Sequence, residues 1–363
     1  MNHELWTVNH FTNNTIEVTI IFLITFIAMK SFNKLIFLAG LLLSVQFSSA
    51  QSAKELQETA RSFMQQGDYS NAALVLNRAS FLEPANIEIT KDLALNYYFQ
   101  KDFNKALDQI KPLLDREDAD DQCYQIAGNI YKQLGQDKEC EKLYRKGLKK
   151  MPQSGALYNE LGELQWEQKN YEAIKQWEKG IEVDPNYSRN YYNACKYYYF
   201  TTDKVWSILY GEVFANMEPL NKSTPEIKSI LLESYKKLFV DTDPNKENKE
   251  TGKFADAFLQ TMKKQSLVAS GGINPETLTM IRTRFILDWF HDYADKYPNR
   301  LFEQHRQLLQ EGLFEAYNQW LFGTAQNLAA YQTWINTHST DYNEFARFQK
   351  GRIYKVPTGQ YYH

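Results

Sequence analysis

The sequence predicts an all-α protein, a solenoid of about five stacked helix pairs followed by a helical C-terminal module. A period of about 34 residues runs between residues 53 and 219. Pro84 and Pro152 lie 68 residues apart, which is two periods of 34. Pro185 and Pro219 follow after steps of 33 and 34 residues. Periods of this length indicate stacked helix pairs, because one pair alone cannot bury its apolar face.

Inside each period, aromatic, small and apolar residues recur in the same order at helical spacing. The first unit has Leu56, Thr59, Ala60, Phe63, Ala72, Leu76, Ala79 and Pro84; the second has Leu93, Ala94, Tyr97, Phe103 and Ala106, with Asp118 at the proline position. The third has Tyr124, Ala127, Gly128, Tyr131, Cys140, Tyr144, Gly147 and Pro152; the fourth has Tyr158, Leu161, Gly162, Ala173, Trp177, Gly180 and Pro185. The fifth has Tyr191, Ala194, Cys195, Tyr198 and Pro219, and departs from the pattern in its second helix at Ser207, Gly211 and Phe214.

This pattern resembles the tetratricopeptide repeat family over residues 53–219. The resemblance implies a right-handed helical solenoid whose first helices line a concave groove. Small residues let the two helices of a pair approach, and large ones fill the space between pairs. The second half of the fourth unit arrives one residue early, so one residue is interpreted as deleted near Asn170 and Tyr171.

The remainder of the chain falls into further predicted segments. Residues 224–268 read as capping helices and a linker, opened by Thr224-Pro225-Glu226. Residues 273–363 form an aromatic-rich helical module that matches no family motif. Its predicted helices carry Ile281 to Tyr293, then Leu301 to Trp320, then Tyr331 to Ile335, and last 342–348. The aromatic stripe is interpreted as a core.

The first fifty residues predict the location of the protein in the cell. Residues 29–50 combine a basic start, an apolar run over 35–45 and small residues before Gln51, which is typical of a secretory signal peptide. Residues 1–28 are interpreted as a mis-assigned upstream extension. The alternative is an uncleaved anchor that holds the protein at a membrane. The interpretation predicts export to the periplasm or cell envelope, with no integral membrane span after cleavage.

Composition excludes several functional classes. The net charge of −3 gives no general attraction to nucleic acid. Three cysteines are an odd number for an exported protein. Cys140 and Cys195 occupy positions where the repeat has small residues, so they are predicted to be packed thiols. Cys123 is predicted to be exposed on the first turn of its helix. The sequence contains no phosphate-binding loop, dinucleotide fingerprint, nucleophile elbow or zinc-binding spacing. No catalytic residue, cofactor or metal is predicted.

The predicted site is therefore the groove, with a protein or peptide segment as partner. The resemblance places its lining on the first helix of each unit: Arg61, Lys91, Tyr98, Asn129, Lys132, Asn159, Trp166, Tyr192, Lys196 and Tyr199. At Trp166 and Tyr98, packing between repeats is an equal alternative. We expect an exported, non-catalytic scaffold for protein–protein interaction in the cell envelope. The alternatives are a carbohydrate- or nutrient-capture protein that uses aromatic stacking, and an enzyme seated around Trp289, His291 and His305.

Overall fold

The computed structural model describes residues 51–240 and 252–363, and every regular element within these ranges is helical. This confirms the predicted all-α class. The predicted upstream extension and signal peptide, residues 1–50, lie outside the described residues. The chain divides into two compact units, one up to Ile89 and one over Thr90–His363.

The first unit contains one helix pair, α1 (Ala53–Gln65) and α2 (Tyr69–Leu82). Ser52 caps α1: the Glu55 amide donates to its hydroxyl at 3.2 Å, and the Ser52 amide donates back to the Glu55 carboxylate at 3.0 Å. This reciprocal capping satisfies two donors that the first helical turn leaves unpaired. The repeat positions Ala60 and Ala72 are fully buried.

The helix α3 (Ile87–Phe99) starts before the boundary between the units, and the second unit continues with further helix pairs. Their helices are α4 (Phe103–Ile110), α5 (Asp121–Gln133), α6 (Asp137–Lys150), α7 (Gly155–Glu167), α8 (Ala173–Val183), α9 (Ser188–Tyr199) and α10 (Lys204–Met217). A 3₁₀ turn, Lys111–Asp115, follows α4, with Pro112 at its start. The small repeat residues stand where helices meet: a Cβ atom on Gly128 would lie 2.0 Å from the Tyr144 hydroxyl oxygen.

The turns inside the first four pairs repeat with the same conformation. Their middle residues have positive φ and stand 34 positions apart: Gly67 (77°), Lys101 (63°), Gly135 (67°) and Lys169 (59°). A left-handed residue closes the end of one helix and redirects the chain into the next. Lysine is strained in this conformation, whereas glycine is not. The period is therefore present in backbone geometry as well as in side-chain types.

The residue missing from the fourth unit is absorbed directly after its left-handed turn. In the earlier units the second helix opens with an i→i−4 bond, such as Cys140 N to Gln136 O at 3.0 Å. In the fourth, Ala173 N bonds Asn170 O and Lys175 N bonds Glu172 O, both at i→i−3 spacing. A 3₁₀ turn uses fewer residues per turn than an α-helix, so the chain loses one residue without losing the helix pair.

Helix α10 differs from the other second helices because it is buried over nearly its whole length, from Lys204 to Asn216. It packs on α9 and on α11 (Thr224–Val240). The Ser207 hydroxyl lies 3.0 Å from the Ser234 hydroxyl of α11, and a Cβ atom on Gly211 would lie 2.8 Å from Cys195 Sγ. The fifth unit departs from the repeat pattern here because this helix is covered on all sides.

The remaining helices follow α11 in the chain and pack on one another. They are α12 (Lys253–Lys263), α13 (Ser266–Ala269), α14 (Pro275–Asp292), α15 (Arg300–Gln310), α16 (Phe314–Asn318), α17 (Thr324–Gln326), α18 (Leu328–Thr337) and α19 (Ser339–Lys350). A π-helical turn, Gln319–Gly323, joins α16 to α17. Of these elements, α12, α17 and the π-helical turn contact α10 or α11.

The predicted single helix from Leu301 to Trp320 is wrong. The chain breaks between α15 and α16 at Gly312, whose φ of 73° ends the first helix in the left-handed region. Within the predicted capping segment, α12 ends at Lys263 and α13 follows as a separate short helix.

The aromatic stripe of the C-terminal part is a core, as predicted. Trp289 is fully buried, with its ring centroid 5.3 Å from that of Phe254, 5.6 Å from Phe285 and 4.9 Å from Phe302. Offset and edge-to-face contacts of this kind add to the free energy gained by burying the rings. These rings belong to a continuous apolar core that extends from Ala173 to Val356.

The cysteines are buried free thiols. This confirms the predicted packing of Cys140 and Cys195 but corrects the exposed position expected for Cys123. The Cys123 amide donates to the Asp120 side chain, which caps α5, and the thiol itself points inward. Burial raises the pKa of the Cys123 thiol to about 12, so this side chain is an inert packing element at neutral pH.

A buried lysine between α11 and the π-helical turn predicts a pH dependence of stability. Lys228 Nζ donates to the Trp320 carbonyl at 2.7 Å and lies 3.8 Å from the Trp320 ring centroid. Burial lowers the pKa of Lys228 to about 7. Because the unfolded chain keeps its proton to about pH 10, stability rises with pH above 7.

We expect the Lys228→Met variant to lack this rise. The free energy of unfolding of the wild type should increase relative to the variant by about 2–3 kcal/mol between about pH 6 and pH 9. Urea unfolding at several pH values measures the difference. Lys175→Met, at an exposed lysine, is the control and should leave the pH profile unchanged. Parallel profiles for wild type and Lys228→Met would contradict the assignment.

Candidate partner-binding surface

The first helices of the second unit carry a row of polar contacts from one helix to the next. In its first contact, Lys91 of α3 donates to Asp120 at 2.7 Å and to Gln122 at 2.9 Å. Lys91 is buried, so this predicted groove residue holds α3 against the start of α5. A partner reaches its ammonium group only after the Asp120 contact opens.

The second contact centres on Glu160 of α7. Its carboxylate accepts from Gln125 at 3.1 Å and from the Tyr144 hydroxyl at 3.2 Å, and it lies 3.4 Å from Lys132 Nζ. Burial raises the pKa of Glu160, and the Lys132 ammonium opposes that effect. The predicted groove residue Lys132 is thus tied to a buried carboxyl. Asn129, one turn earlier on α5, is half-buried.

The third contact joins α7 to α9 through Asn193. Its amide donates to the Asn159 side-chain oxygen at 2.9 Å and to Glu163 at 3.1 Å. Arg189 adds an ion pair to Glu163 at 3.3 Å. Asn159, a predicted groove residue, is buried by this pairing.

The fourth contact joins α9 to α11 through Glu226. The Tyr192 hydroxyl donates to its carboxylate at 2.7 Å, and Lys196 Nζ lies 2.8 Å away. Burial alone would raise the pKa of Glu226, but these two hydrogen bonds outweigh it and lower the pKa. Tyr199 lies on the same side of α9, with Lys237 Nζ 4.3 Å from its ring centroid. The structure therefore brings Tyr192, Lys196 and Tyr199 together against α11.

An exposed aromatic cluster adjoins this polar row. Trp166 is 38% exposed and Tyr171 is 62% exposed, and their ring centroids lie 5.6 Å apart. The half-buried Tyr197 ring is 6.1 Å from Trp166, and the buried Trp177 ring is 5.9 Å from it. Both interpretations of Trp166 apply in part, because it packs on Trp177 and still presents a face to solvent. We call Trp166, Tyr171 and Tyr197 the aromatic cluster.

Two predicted groove residues stand apart from these contacts. Tyr98 is half-buried and makes edge contacts with Phe99 at 5.7 Å and Phe103 at 5.6 Å. Arg61 belongs to the first unit, where it is exposed on α1. Their assignment to a groove stays a prediction.

Sequence reasoning missed the residues that connect the row. Glu160, Asn193 and Glu226 follow Gln125, Asn159 and Tyr192 by 35, 34 and 34 positions. A search for complementary polar side chains one period apart would have found these pairs. Tyr171 and Tyr197 of the aromatic cluster were recognisable only as parts of a turn and of a tyrosine run.

The C-terminal histidines do not form a site with Trp289. Trp289 is buried among aromatic rings, whereas the His291 side chain is 87% exposed and bonds the neighbouring Asp292 at 2.6 Å. His305 is buried in a different cluster, described next. Trp289 lines one cavity with Phe290 and Asp295, and His305 lines another with Glu212 and Arg282. Residues 51–240 and 252–363 contain no cluster of metal-binding side chains.

His305 belongs to a buried ionic cluster between α10, α14 and α15. Arg282 forms an ion pair with Glu212 and a hydrogen bond with Asn318, and all three side chains are buried. The Tyr317 hydroxyl and His305 Nε2 lie 2.7 and 2.8 Å from the same Glu212 oxygen. His305 Nε2 also lies 3.0 Å from the Arg282 guanidinium, so this nitrogen stands between the guanidinium and the carboxylate.

The ionisation of this cluster follows from its contacts. Burial alone would raise the pKa of Glu212, but the Arg282 charge and the bonds from His305 and Tyr317 hold it at about 2. Burial lowers the pKa of His305. Each charged group of the cluster forms a hydrogen bond or an ion pair with another member. The cluster is therefore a packing element of the core.

None of the helices within the described ranges has the length and apolar character of a membrane-spanning segment.

Comparison with known proteins gives a local sequence match. No family model matches the chain. The chain is similar to the BBSome complex member BBS4 of mouse (Mus musculus), with 32% identity over 116 residues, and to that of cattle (Bos taurus), with 31% over 118. Each match covers 32% of this chain and 22% of the relative. The chain thus spans about a fifth of the length of the curated relatives it matches.

Among solved structures, the chain is similar to TTC0263, a thermophilic TPR protein of Thermus thermophilus. The identity is 14% and the TM-score 0.42, over 50% of this chain and all of the other. It is also similar to a tetratricopeptide repeat protein from Parabacteroides merdae, with 18% identity and a TM-score of 0.39, over 72% of this chain and all of the other. Residues 53–219 carry their signature residues on successive helix pairs, which is the arrangement that the resemblance predicted.

Proposed function

We propose that this protein is a non-catalytic scaffold that binds a segment of another protein along the first helices of its repeats. The observation that carries the proposal is the aromatic cluster beside the polar row. Trp166 and Tyr171 expose large aromatic area at low cost in side-chain entropy, and such residues dominate the binding energy of protein interfaces.

The polar row supports this use by fixing the positions of its members. Glu160, Glu163 and Glu226 each bond groups on neighbouring helices, so the first-helix surface is held rigid before a partner arrives. A preorganised surface spends less free energy on ordering side chains during binding. Tyr192, Lys196 and Tyr199 then offer ring edges and ammonium groups to an extended or helical segment.

The proposed place of action is the cell envelope. This part of the proposal rests on the sequence of residues 29–50, which has the basic start, apolar run and small residues of a secretory signal peptide. Intact mass measurement of the protein recovered from the envelope tests it. A mass that corresponds to a chain starting at Gln51 supports export with cleavage. A mass that corresponds to a chain starting at Met1 contradicts this cleavage.

The binding proposal is tested by pull-down from an envelope fraction, comparing wild type with a Trp166→Ala, Tyr199→Ala double variant. We expect recovery of the bound protein to fall at least tenfold, because removing one aromatic anchor costs about 1–2 kcal/mol and two add. Phe81→Ala, at an exposed aromatic residue of the first unit, is the matched control and should leave recovery unchanged. Equal recovery by wild type and the double variant, both with native circular dichroism, would reject the surface.

A second candidate function is favoured by the same aromatic cluster. Trp166 and Tyr171 have exposed rings of the kind that stack on sugars, so the protein is alternatively a carbohydrate-capture protein. Glycan-array binding by the purified protein separates the two functions. Saturable binding to a glycan that Trp166→Ala abolishes would favour capture over protein binding.

A further inference from the structure

Residues 351–363 follow α19 without regular secondary structure and contact α8, α9 and α10. The Asn186 side chain recognises the backbone of this segment at one residue. Val356 N donates to Asn186 Oδ1 at 3.0 Å, and Asn186 Nδ2 donates to the Val356 carbonyl at 3.2 Å. A paired contact to main-chain atoms holds an extended peptide whatever its side chains.

Side-chain pockets hold the rest of the segment. The Tyr362 ring stacks on Phe254, with 4.7 Å between centroids and an interplanar angle of 11°, and its hydroxyl donates to the Pro298 carbonyl at 2.6 Å. The Arg300 amide donates to the Gln360 side chain at 2.7 Å. Tyr362 and Gln360 line a small, partly open cavity together with Trp206 and Tyr210.

His363 makes the last contact of the segment. Its ring lies edge-on to Trp206 at 4.8 Å, with Nε2 at 2.7 Å from the Tyr198 hydroxyl and Nδ1 at 3.2 Å from the Glu178 carboxylate. The Tyr198 hydroxyl also donates to Glu178, at 2.6 Å. Glu178 is buried on α8, so the imidazole is part of the polar environment of a buried carboxyl.

We propose that this surface of α8–α10 is a peptide-binding site that accepts residues 351–363 of a second copy of the chain as well as its own. Every contact of the segment is made by residues that a second copy also carries, so exchange between two copies preserves all of them. The link to α19 is exposed at Gly351, Arg352 and Ile353, and a hydrogen bond of 2.7 Å from Arg352 to Gln307 must open before the segment leaves. The segment can therefore leave its site without unwinding the helix before it.

Concentration determines which segment occupies the site. A tethered segment acts at an effective concentration of about 1 mM, so the wild-type protein keeps its own segment in place in dilute solution. In a variant whose own segment binds poorly, however, the site is vacant and the residues that form it are unchanged. Two complementary variants should then form one exchanged dimer.

The experiment mixes two full-length variants in equal amounts. One is Tyr362→Ala, His363→Ala, which keeps the site and weakens the segment; the other is Asn186→Ala, which keeps the segment and weakens the site. We expect sedimentation velocity at about 50 µM to show a dimer in the mixture, with each variant alone remaining a monomer. A mixture that stays monomeric while both variants keep native near-UV circular dichroism overturns the proposal.

A second measurement does not depend on the folding of Asn186→Ala. A fluorescent peptide with the sequence of residues 351–363 is titrated with wild type and with the Tyr362→Ala, His363→Ala chain. We expect the variant chain to bind at least tenfold more tightly, because its own segment competes less. A scrambled peptide is the control, and equal affinity of the two chains for the native peptide overturns the proposal.

Discussion

The Glu212→Gln variant should lose about 3–5 kcal/mol of unfolding free energy, the cost of leaving a buried charge without its partner. Arg282 is fully buried and forms its ion pair with Glu212, so the variant leaves the guanidinium charge uncompensated in the core. The same substitution replaces the carboxylate that Tyr317 and His305 contact with a neutral amide, which is a weaker acceptor. Urea unfolding of wild type and variant measures the loss.

The double variant Glu212→Leu, Arg282→Met is the control for this explanation. With both charges replaced by apolar side chains of similar size, we expect most of the stability to return, because no buried charge is left unpaired. Glu226→Gln, which removes a partly exposed carboxylate of the polar row, should cost less than about 1 kcal/mol. A Glu212→Gln variant as stable as Glu226→Gln would contradict the role of the cluster.

Trp289→Ala should destabilise the protein by about 3–5 kcal/mol. The indole is fully buried among Phe254, Phe285 and Phe302, so its removal leaves a cavity in the core. The lost burial and the remaining cavity add to the cost. Thermal and urea unfolding, followed by near-UV circular dichroism, measure the change.

Trp334→Ala provides the matched control. Trp334 is half-buried on α18 and stacks on the exposed His338 at 4.6 Å, so its removal leaves no enclosed cavity. We expect a loss well below that of Trp289→Ala. Similar losses for the two tryptophan variants would contradict the enclosure of Trp289 by the surrounding rings.

The repeat architecture was predictable because its signals are local. The left-handed turns, the small residues at helix contacts and the prolines all lie within one 34-residue period. The break at Gly312 was harder to predict, since apolar residues continue at helical spacing through it. The burial of α10 by later helices was not predictable, because the side chains that bond Glu212 and Asn216 lie 70 to 105 positions further along the chain.

The candidate surface was predictable only as a set of helix positions. The position within the repeat places Lys91, Lys132 and Asn159 on the first helices. It does not reveal that each side chain is already bonded to a neighbouring helix. The cluster of Trp166 with Tyr171 and Tyr197 depends on ring orientations that a single sequence does not encode in its spacing. Residues 351–363 lack periodicity, so nothing in them indicated that they return to α8.

The enclosure of α10 has a consequence for synthesis of the protein. The last of its polar contacts come from His305 and Tyr317, which leave the ribosome about 90 to 100 residues after the helix itself. At about 5–20 residues per second, translation leaves this apolar helix uncovered for roughly 5–20 s. A nascent chain halted before His305 should therefore recruit chaperones that the finished protein no longer engages.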